Sequence, residues 1–453
     1  MKIYTKFVSG CLFPLHEKLK KHHTVSRLST LEKSQWLSRD EIQLLQKSNL
    51  SQFLERIHLH NPYYKDLFYQ LGLSHSDLSL SNILQRLPVL EKDVIRANEG
   101  KLITEGVKNI KFIRTSGSTG APLRFAMGIE RISHDVSAKW RATRWWDVDI
   151  GDREAVVWGS SIELSGQGLL KHLRDRILRS KLFPAQHMTE QGMADILESL
   201  QNYRPSMIYG YPSIMSLLAQ YAVDKGISVR MPNLKVIFCT AEKLFVHQRQ
   251  IIEQVFGAKV ADGYGGRDSG FIAHQCPQGN LHVCDEDIIV EILDDNDQPC
   301  KVGEVGHLVV TNMSMTAFPM VRYRTGDLAR LSNVVCPCGR GLSVLDEVIG
   351  RSNDAIFATD GALVHGAFIG NIVREDDAVN HFQLIQESEK EYHLNLVPYS
   401  DGKIDIRNLQ KRLLKVFGCD ACLVIHLVEN IAPEKTGKYK YIINRVKKTV
   451  LVD

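Results

Sequence analysis

The sequence predicts an α/β protein with a large first domain, which contains a β-rich subdomain, and a small α+β domain at the C-terminus. Short apolar runs alternate with longer helix-like segments between residues 155 and 261, a pattern typical of a sheet covered by helices. Residues 288–330 show consecutive strand-like runs separated by turns. The composition changes after residue 350, and 453 residues are too many for one compact core. We therefore predict domains at residues 1–350 and 351–453.

A helical lead segment is predicted over about residues 1–100. Between residues 30 and 75, apolar positions recur among charged ones as they do on one face of a helix. The pair Asn61-Pro62 ends this pattern, because proline disfavours helix in the residue before it. Residues 7–15 form a short apolar patch without a signal-peptide cleavage site. This patch favours a docking segment, and a peripheral membrane contact is the alternative.

The elements of the later chain follow from the same patterns. Sheet strands of the first domain are predicted at 155–158, 207–209, 235–239 and 259–261. Helices are predicted between them at 191–200, 214–223 and 247–255. The β-rich subdomain, at about 280–350, has strand-like runs at 288–293, 306–310 and 320–324. The C-terminal domain is predicted to have strands at 392–397 and 423–428 and a helix at 406–417.

Composition and charge exclude several functional classes. The chain is 44% apolar and 24% charged, which is ordinary for a globular enzyme. Its 56 basic and 52 acidic residues give a net charge of +4, too even to indicate nucleic-acid or membrane binding. Since no apolar run is long enough to cross a bilayer, we predict that it is not an integral membrane protein. Nine cysteines without a secretory signal favour reduced thiols or metal ligands and a cytoplasmic location.

A loop of glycines and hydroxyl residues follows the predicted strand at 110–114. It consists of Thr115, Ser116, Gly117, Ser118, Thr119 and Gly120. Glycines allow neighbouring backbone amides to point into one concavity, and hydroxyls add donors, which suits a polyphosphate. The loop is not a Walker A motif, because Ala121 follows instead of lysine. A solvated linker is the alternative.

A second glycine-dense segment at 263–270 carries an aromatic ring, a guanidinium group and a carboxylate, from Tyr264, Arg267 and Asp268. A carboxylate beside a phosphate loop is what Mg²⁺ requires, because Mg²⁺ binds one or two carboxylates together with substrate phosphates. The alternative is a tight turn with a surface ion pair.

Two further segments carry candidate polar groups. Asp327 follows a strand and a turn glycine, so it either caps the turn or accepts hydrogen bonds from ribose hydroxyls. Lys438 ends a short loop near the C-terminus, where a solvated basic tail is the alternative.

Taken together, these segments resemble the adenylate-forming superfamily of acyl-CoA synthetases, and most closely its phenylacetate-CoA ligase-like branch with the CapK group of polysaccharide gene clusters. The resemblance runs from about residue 50 to residue 440. The motifs that carry it lie in the family's order at 60–64 (HNPYY), 87–92 (LPVLEK), 115–120 (TSGSTG), 210–213 (GYPS), 264–265 (YG), 323–327 (YRTGD), 336–340 (CPCGR) and 350–351 (GR).

The resemblance implies a nucleotide site for ATP. Its residues would be the loop at 115–120 with Ala241, Glu242, Tyr264, Gly265, Asp327 and Arg351. The loop would hold the β- and γ-phosphates. Ala241 and Glu242 would lie beside the adenine, mainly through their backbone. Asp327 would bind the ribose hydroxyls with help from Arg351.

The resemblance also implies three catalytic residues. Lys438 would bridge the acyl carboxylate and the α-phosphate, which offsets the charge that develops during attack on phosphorus. Asp268 stands where the family usually has a Mg²⁺-binding glutamate, and Arg267 replaces a phosphate-binding hydroxyl residue. Asn353 occupies the hinge position, which is often aspartate. The first two departures bear on metal geometry and the third on the movement of the small domain.

Cysteines and a histidine with suitable spacing predict a structural zinc site. Cys276, His282, Cys336 and Cys338 supply three sulfurs and one imidazole. CapK-like members carry similar positions, which is consistent with zinc. His274 and Cys284 are competing candidate ligands, and buried thiols without a metal are the alternative.

The activity implied by the resemblance is formation of an acyl-adenylate from a carboxylic acid and ATP with Mg²⁺, followed by transfer of the acyl group to coenzyme A. A mobile C-terminal domain would serve the two halves of the reaction. Aromatic residues near the predicted strand ends are candidates for the acid pocket: Trp158, Tyr209, Tyr211 and Phe238. Transfer to an amine and a non-catalytic nucleotide-binding scaffold are the alternative functions, and a dimer is the expected oligomer.

Overall fold

The protein is described here from a computed structural model. The residues that the structure describes are 2–80, 82–115, 123–158, 169–185, 189–351, 355–360, 363–365, 369–370, 372–373, 376, 378–399, 403–418, 420–432 and 440–446. The chain divides into two compact units, Met1–Thr325 with Ala329–Val348 and Gly326–Leu328 with Ile349–Asp453. The first is a large sheet-rich α/β unit and the second a smaller α+β unit, so the predicted fold class is confirmed.

The lead segment is helical. Its elements are α1 (Lys2–Phe7), a π-helical turn (Val8–Leu12), α2 (Phe13–Leu19), α3 (Thr24–Ser34), α4 (Arg39–His60), α5 (Pro62–Gln70) and α6 (Lys92–Ala97). Ser38 and Glu41 form a capping box that begins α4. Asn61 separates α4 from α5: its side-chain oxygen accepts a hydrogen bond from the amide of Tyr64 at 3.2 Å, and Pro62 is the first residue of α5. The predicted break at this pair is therefore confirmed.

Thirteen strands and five helices lie within the described residues between 111 and 351. The strands are β1 (Lys111–Arg114), β2 (Arg124–Met127), β3 (Glu154–Trp158), β4 (Ser180–Pro184), β5 (Met207–Gly210), β6 (Val236–Thr240), β7 (Lys259–Gly266), β8 (Gly270–Gln275), β9 (Leu281–Val283), β10 (Ile288–Leu293), β11 (Gly306–Asn312), β12 (Tyr323–Ser332) and β13 (Val344–Arg351). The helices are α7 (Ile129–Arg144), α8 (Leu169–Leu178), α9 (Glu190–Tyr203), α10 (Pro212–Asp224) and α11 (Val246–Phe256).

Eleven of these strands form one sheet in the order β10-β11-β12-β13-β9-β8-β7-β6-β5-β3-β4. Pairing is parallel from β4 to β7 and antiparallel from β7 to β9. Strands β1 and β2 form a separate antiparallel hairpin. Helices α9, α10 and α11 cover one face of the parallel strands, where residues such as Ile208, Leu218 and Ile252 are buried. This arrangement brings the carboxyl ends of the parallel strands to one edge.

Several elements differ from the sequence-based expectation. The strand predicted to begin at residue 320 begins at Tyr323, because Arg322 has φ +53° and turns the chain. The strands predicted as a β-rich subdomain continue the main sheet. Helix α7 was not predicted, because polar side chains such as Ser133 and Arg141 are buried on it and obscure the apolar period. Strand β4 was not predicted either; it is short and ends at Pro184.

The described part of the second unit includes β14 (Ala355–Phe357), β15 (Leu363–His365), β16 (Val379–Gln386), β17 (Glu391–Pro398), α12 (Ile406–Phe417), β18 (Cys422–Leu427) and β19 (Ile442–Asn444). Four strands form a sheet in the order β18-β17-β16-β19. Helix α12 has the predicted bounds, and Asp405 caps it by accepting a hydrogen bond from the amide of Asn408 at 3.1 Å. Leu409, Leu413 and Phe417 form its buried face.

Three consecutive buried acids tie the lead helices and α7 to the main sheet. Asp285, Glu286 and Asp287 are 3%, 3% and 8% exposed. Each pairs with a different arginine: Asp285 with Arg39 at 2.8 Å, Glu286 with Arg141 at 2.6 Å, and Asp287 with Arg27. Since buried charges are costly unless they are paired, these contacts fix the packing of α3, α4 and α7.

Candidate functional site

The carboxyl ends of the parallel strands lie side by side. The register pairs Val157 with Gly210, Gly210 with Cys239, and Thr240 with Gly263. The hydroxyl of Thr240 also donates to the carbonyl of Gly263 at 2.6 Å, which links the end of β6 to β7. Ligands of open α/β sheets bind at this edge of the strands. The segments that follow these strands are therefore the candidate site.

The segment after β6 has a constrained backbone. Ala241 has φ +69°, a left-handed conformation that is uncommon for residues with a Cβ. Glu242 accepts a hydrogen bond from the amide of Ser213 at 3.1 Å, so its carboxylate sits at the N-terminus of α10, where negative charge is favourable. The side chain of Glu242 thus supports α10. What these two residues can offer a ligand is chiefly their backbone groups.

The hairpin between β7 and β8 admits only glycine at its narrowest points. A Cβ on Gly265 would lie 2.3 Å from the carbonyl oxygen of Gly270. Gly270 has φ +103°, and a Cβ there would lie 2.5 Å from Nδ2 of Asn312. The pairing also shifts register between Tyr264 and Gly265. These glycines hold the three-residue turn that carries Arg267 and Asp268 in one position.

Two side chains from other elements brace this turn. Arg131 of α7 donates through Nη2 to the carbonyl oxygens of Gly266 at 3.3 Å and Arg267 at 3.2 Å. Asn312 of β11 donates to the carbonyl oxygen of Ser269 at 2.9 Å. Arg131 is itself oriented by Asp135, whose two carboxylate oxygens accept from Nε at 3.0 and 2.9 Å. The turn is therefore preorganised from both sides.

The carboxylate of Asp268 has one oxygen fixed by a buried tyrosine. The Tyr323 hydroxyl donates to Oδ2 of Asp268 at 2.6 Å, and Tyr323 is 1% exposed. Tyr323 opens β12, the strand that contains residues 323–327. Residues 87–92 run beside the start of this strand, because the amide of Leu90 donates to the carbonyl of Arg322 at 2.9 Å and Lys92 donates to the carbonyl of Thr325 at 3.0 Å. The start of β12 therefore contacts both the turn of Asp268 and the segment 87–92.

The phosphate-loop candidate is described only at its base. Thr115 and Leu123 close the hairpin of β1 and β2: the amide of Thr115 donates to the carbonyl of Leu123, and the amide of Leu123 donates to Oγ1 of Thr115, both at 2.9 Å. Thr115 therefore links the end of β1 to the residue before β2. Ser116, Gly117, Ser118, Thr119 and Gly120 lie outside the described residues, as does Lys438. Asp327 and Arg351 belong to the second unit.

The predicted aromatic residues form a contiguous group at the strand ends. The ring of Trp158 lies 4.0 Å from that of Tyr211 and 6.1 Å from that of Tyr209, and Tyr209 is 6.5 Å from Phe238. Tyr211 and Phe238 are 2% exposed and belong to the core. Trp158 and Tyr209 are partly exposed and remain candidates for a pocket wall.

Two buried polar atoms near this edge have no hydrogen-bond partner among the described residues. They are Nε1 of Trp158, at the end of β3, and Oγ of Ser213, in the first turn of α10. An unsatisfied buried donor is unfavourable, so such atoms mark places where a ligand can bind.

The four predicted zinc ligands come together in space. One ligand atom from each of Cys276, His282, Cys336 and Cys338 lies within 4.8 Å of all the others. The sulfurs of Cys276 and Cys336 are 3.6 Å apart, too far for a disulfide, and Sγ of Cys338 is 3.2 Å from Nε2 of His282. These separations suit four atoms placed around one tetrahedral ion with bonds of about 2.0–2.3 Å.

The surroundings of this cluster also fit a metal. Nδ1 of His282 lies 3.3 Å from the carbonyl oxygen of Leu342, which leaves Nε2 to face the cysteines. Burial lowers the pKa of His282 to about 4, so the imidazole is neutral, the form that binds metals. The competing candidates are elsewhere: His274 stacks on Phe271 at 3.9 Å, and Cys284 lies beside Arg141. Neither belongs to the four-residue cluster.

Comparisons with known proteins agree with this geometry. Residues 356–445 match the family model of the CapK C-terminal domain. Protein CapK of Staphylococcus aureus is 24% identical over 411 residues, which cover 89% of each chain. A phenylacetate-coenzyme A ligase of Thermus thermophilus is 24% identical over 368 residues, 78% of this chain and 80% of that protein.

The chain is therefore similar over most of its length to CapK and to the phenylacetate-CoA ligases, and its residues 356–445 match the CapK C-terminal domain.

Solved structures share the fold. A crystal structure of 2-hydroxyisobutyryl-CoA ligase, in complex with R3-HIB-AMP, covers 91% of each chain with a TM-score of 0.76 at 21% identity. The amide bond synthetase McbA from Marinactinospora thermotolerans covers 74% of this chain and 68% of its own with a TM-score of 0.54 at 17% identity.

None of the helices within the described ranges is both long and apolar enough to cross a membrane.

An open cavity of about 630 Å³ lies beside the motif at 60–64, since His60 is one of its lining residues. It is lined by the lead helices, residues 104–108 and the start of α7, and includes His23, Arg56 and Lys108. It contains none of the predicted nucleotide-binding or catalytic residues.

Sequence reasoning missed the residues that position this candidate site. Arg131 and Asn312, which brace the turn of Asp268, are separated from it by more than 40 residues in the chain and belong to no motif. Tyr323 lies within a recognised motif, but its contact with Asp268 spans 55 residues. Asp262, on β7 and two residues before Tyr264, was also missed. Burial raises its pKa to about 6, although Arg249 acts in the opposite direction.

The raised pKa of Asp262 predicts a pH-dependent stability. Its value of about 6 in the folded protein exceeds the ordinary 3.8, so the folded state binds this proton more tightly than the unfolded state. The protonated carboxyl group therefore stabilises the fold fully below pH 3.8, its ordinary pKa, and this contribution is lost as the pH rises through about 6. We expect Asp262→Asn to raise the free energy of unfolding at about pH 8 by up to about 3 kcal/mol, measured by urea titration. The difference should vanish near pH 4, and equal stabilities of variant and parent at both pH values would refute the assignment.

Proposed function

We propose that the chain converts a carboxylic acid and ATP into an acyl-adenylate and pyrophosphate, and then transfers the acyl group to the thiol of coenzyme A. The observation that carries this proposal is the braced turn of Asp268, fixed by Tyr323 at the carboxyl edge of the parallel strands. Relatives named phenylacetate-CoA ligase support the same reaction class.

The first step requires a nucleotide held in one orientation. Ser116, Ser118 and Thr119 supply hydroxyls, and the glycines between them let backbone amides approach the β- and γ-phosphates. The strained backbone at Ala241 presents its polar groups to the adenine. Asp327, assisted by Arg351, accepts hydrogen bonds from the ribose hydroxyls. Such binding contributes to catalysis by placing the α-phosphorus next to the acid.

Asp268 suits a Mg²⁺ ion that accompanies ATP. One carboxylate oxygen accepts the hydrogen bond from Tyr323, which orients the other oxygen, and Mg²⁺ takes one or two protein carboxylates beside substrate phosphates. The ion would neutralise phosphate charge when bound. Arg267 adds a fixed positive charge from the same turn, where most relatives of the family have a hydroxyl residue.

The chemistry consists of two displacements. A carboxylate oxygen of the acid attacks the α-phosphorus, the bond to the β-phosphate oxygen breaks, and pyrophosphate leaves. Lys438 bridges the carboxylate and the α-phosphate and offsets the negative charge that develops between them. The sulfur of coenzyme A then attacks the acyl carbon and AMP leaves. The second unit presents Lys438 for the first step and rotates away for the second.

The buried donors at the strand ends bear on the choice of acid. Nε1 of Trp158 donates only, whereas Oγ of Ser213 donates or accepts. An acid with an oxygen-bearing substituent would satisfy both atoms. The aromatic faces of Trp158 and Tyr209 provide an apolar wall beside them. We therefore favour an acid that combines an apolar part with a polar substituent.

Product analysis tests the acceptor directly. The purified protein is incubated with ATP, Mg²⁺ and a panel of aryl, hydroxy and amino acids, and the products are identified by mass spectrometry. We expect AMP together with an acyl-CoA when coenzyme A is present, and an enzyme-bound acyl-adenylate when it is absent. Formation of ADP and inorganic phosphate in place of AMP would contradict the proposal, because it requires a different displacement.

A second candidate is transfer of the acyl group to an amine. The relative named CapK and the fold shared with an amide bond synthetase favour it. Amines, including amino acids and amino sugars, are therefore added to parallel reactions in place of coenzyme A. An amide product without any thioester would select this candidate and still support the adenylation step.

We also propose that Cys276, His282, Cys336 and Cys338 bind a structural zinc ion, because their geometry and the neutral imidazole fit one. We expect about one zinc per chain in protein purified without chelator. Cys336→Ser and Cys338→Ser should each lose most of the zinc and lower the melting temperature, whereas Cys422→Ser, at an exposed cysteine outside the cluster, should lose none. Inductively coupled plasma mass spectrometry measures the content. Zinc retained in both cluster variants would rule this site out.

A further inference from the structure

An exposed apolar stripe runs along the N-terminal helices. Ile3, Phe7, Leu15 and Leu19 form this apolar stripe, and they are 87%, 51%, 55% and 76% exposed. They are spaced four or eight residues apart on α1, the π turn and α2. Single exposed apolar side chains are ordinary, but four at regular spacing on one segment indicate an interaction surface.

The π turn keeps the stripe together. Four residues of a regular α-helix rotate by about 400°, which is about 40° more than one full turn. Side chains spaced four residues apart therefore move gradually around the helix axis. The amide of Phe13 donates to the carbonyl of Val8, a hydrogen bond five residues long that accommodates more residues in the turn. This wider turn reduces the drift. The apolar side chains before and after it therefore remain on one side.

The opposite side of the segment is fixed to the body of the protein. Val8 and Phe13 are buried in a cluster with Trp140 and Ile150. The hydroxyl of Thr5 donates to a carboxylate oxygen of Asp152 at 2.7 Å. Because the segment already has its own buried face, the apolar stripe is not needed to cover the core.

A neighbouring helix enlarges the apolar surface. The hydroxyl of Tyr4 donates to the carbonyl oxygen of Ile177 at 2.9 Å, so the end of α8 lies against α1. Leu173 and Ile177 of α8 are 57% and 36% exposed. Two helices side by side therefore expose large apolar side chains.

The charge around the stripe is almost entirely positive. Lys6, Lys18, Lys20 and Lys21 are exposed on the segment, and Arg176 is exposed on α8. The single acidic residue among residues 1–23, Glu17, is 3% exposed and engaged by His16, His22 and Thr24. Lysines beside exposed apolar side chains are the pattern of a helix that lies in the interface of an anionic bilayer.

We propose that the apolar stripe and the lysines around it dock the protein on a membrane surface that contains anionic phospholipid. The apolar side chains enter the boundary between headgroups and acyl chains, while the lysines contact the phosphates. The charge distinguishes this occupant from an apolar partner protein, which would leave the lysines without counter-charges. The inference is independent of the reaction proposed above, because no residue of the strand edge takes part.

Vesicle sedimentation with the full chain tests the proposal. Sucrose-loaded vesicles of phosphatidylcholine with about 30% phosphatidylglycerol are compared with vesicles of phosphatidylcholine alone. We expect binding to the anionic vesicles that weakens in high salt. The double variant Ile3→Ser with Leu19→Ser should bind at least tenfold more weakly, and Lys6→Gln or Lys18→Gln should each reduce binding about fivefold.

A matched control replaces apolar side chains of similar exposure on other helices. Tyr69→Ser with Leu44→Ser, at positions 88% and 69% exposed, should bind vesicles as the parent does. Failure of the parent protein to sediment with anionic vesicles would overturn the proposal, as would equal losses in the stripe and control variants. A stripe variant that changes the mass in sedimentation equilibrium and leaves vesicle binding intact would instead assign the surface to a second copy of the chain.

Discussion

Replacing Lys438 by alanine is expected to slow acyl-adenylate formation by about 10²–10³-fold, because it removes the positive charge that compensates the carboxylate and the α-phosphate in the transition state. A single-turnover experiment with excess enzyme, in which the appearance of AMP-linked product is followed by rapid quench, measures this step. The acid should be one that the product analysis has identified. The acyl transfer from preformed acyl-adenylate to coenzyme A should be much less affected, since the proposed mechanism uses Lys438 only in the first step.

Lys435 provides the control for this experiment, because it lies three residues away in the same glycine-containing loop. Lys435→Ala should form acyl-adenylate at nearly the parent rate. Similar losses in both variants would indicate a general effect of loop charge rather than a specific bridge. A Lys438→Ala protein with the parent rate would remove this lysine from the mechanism.

The second large effect concerns stability. Glu286→Ala is expected to lower the free energy of unfolding by about 3–5 kcal/mol, because it leaves the guanidinium group of Arg141 buried without its counter-charge. The side chains of Arg141 and Glu286 are 1% and 4% exposed, and Nη1 donates to Oε1 at 2.6 Å. Ser34 of α3 donates to the same oxygen at 2.6 Å, so the lead helices lose an anchor as well. Guanidinium chloride titration followed by near-UV circular dichroism measures the change.

Two comparison variants separate the ion pair from other causes. Glu198→Ala removes an exposed carboxylate and should change the stability by no more than about 0.5 kcal/mol. The double variant Arg141→Met with Glu286→Met should recover most of the loss, since apolar side chains of similar volume replace a buried pair without an unpaired charge. If Glu286→Ala unfolds at the same denaturant concentration as Glu198→Ala, the pair does not anchor α7.

Local pattern predicted much of the fold. Helix α12 has its predicted bounds because Leu409, Leu413 and Phe417 recur at helical spacing and Asp405 provides a cap. The parallel strands β3, β5, β6 and β7 were predicted because they are short apolar runs between helical segments. Helix α7 was missed because its buried face contains Arg131, His134 and Arg141, whose partners lie far away in the chain. Polar side chains in a core satisfy long-range contacts that no local period reveals.

The candidate site, like the fold, could be predicted from local sequence only in part. Glycine density indicated the turn of Asp268, and a Cβ would clash at Gly265 and Gly270. The hydrogen bond from Tyr323, in contrast, depends on a sheet that brings together residues 55 positions apart. The four candidate zinc ligands could be listed from spacing, but their approach to within 4.8 Å required the fold. The roles of the loop at 116–120 and of Lys438 remain predictions, because these residues lie outside the described ranges.

The central claim is that the strand-edge segments bind one ATP molecule and direct its α-phosphorus to a carboxylate. Acid-dependent exchange of labelled pyrophosphate into ATP tests this claim most directly, because exchange requires reversible formation of an acyl-adenylate and needs no acceptor. We predict exchange with at least one acid of the panel, none without acid, and a loss of exchange in Lys438→Ala. A folded protein that catalyses no exchange with any acid would contradict the account and leave a nucleotide-binding scaffold in its place.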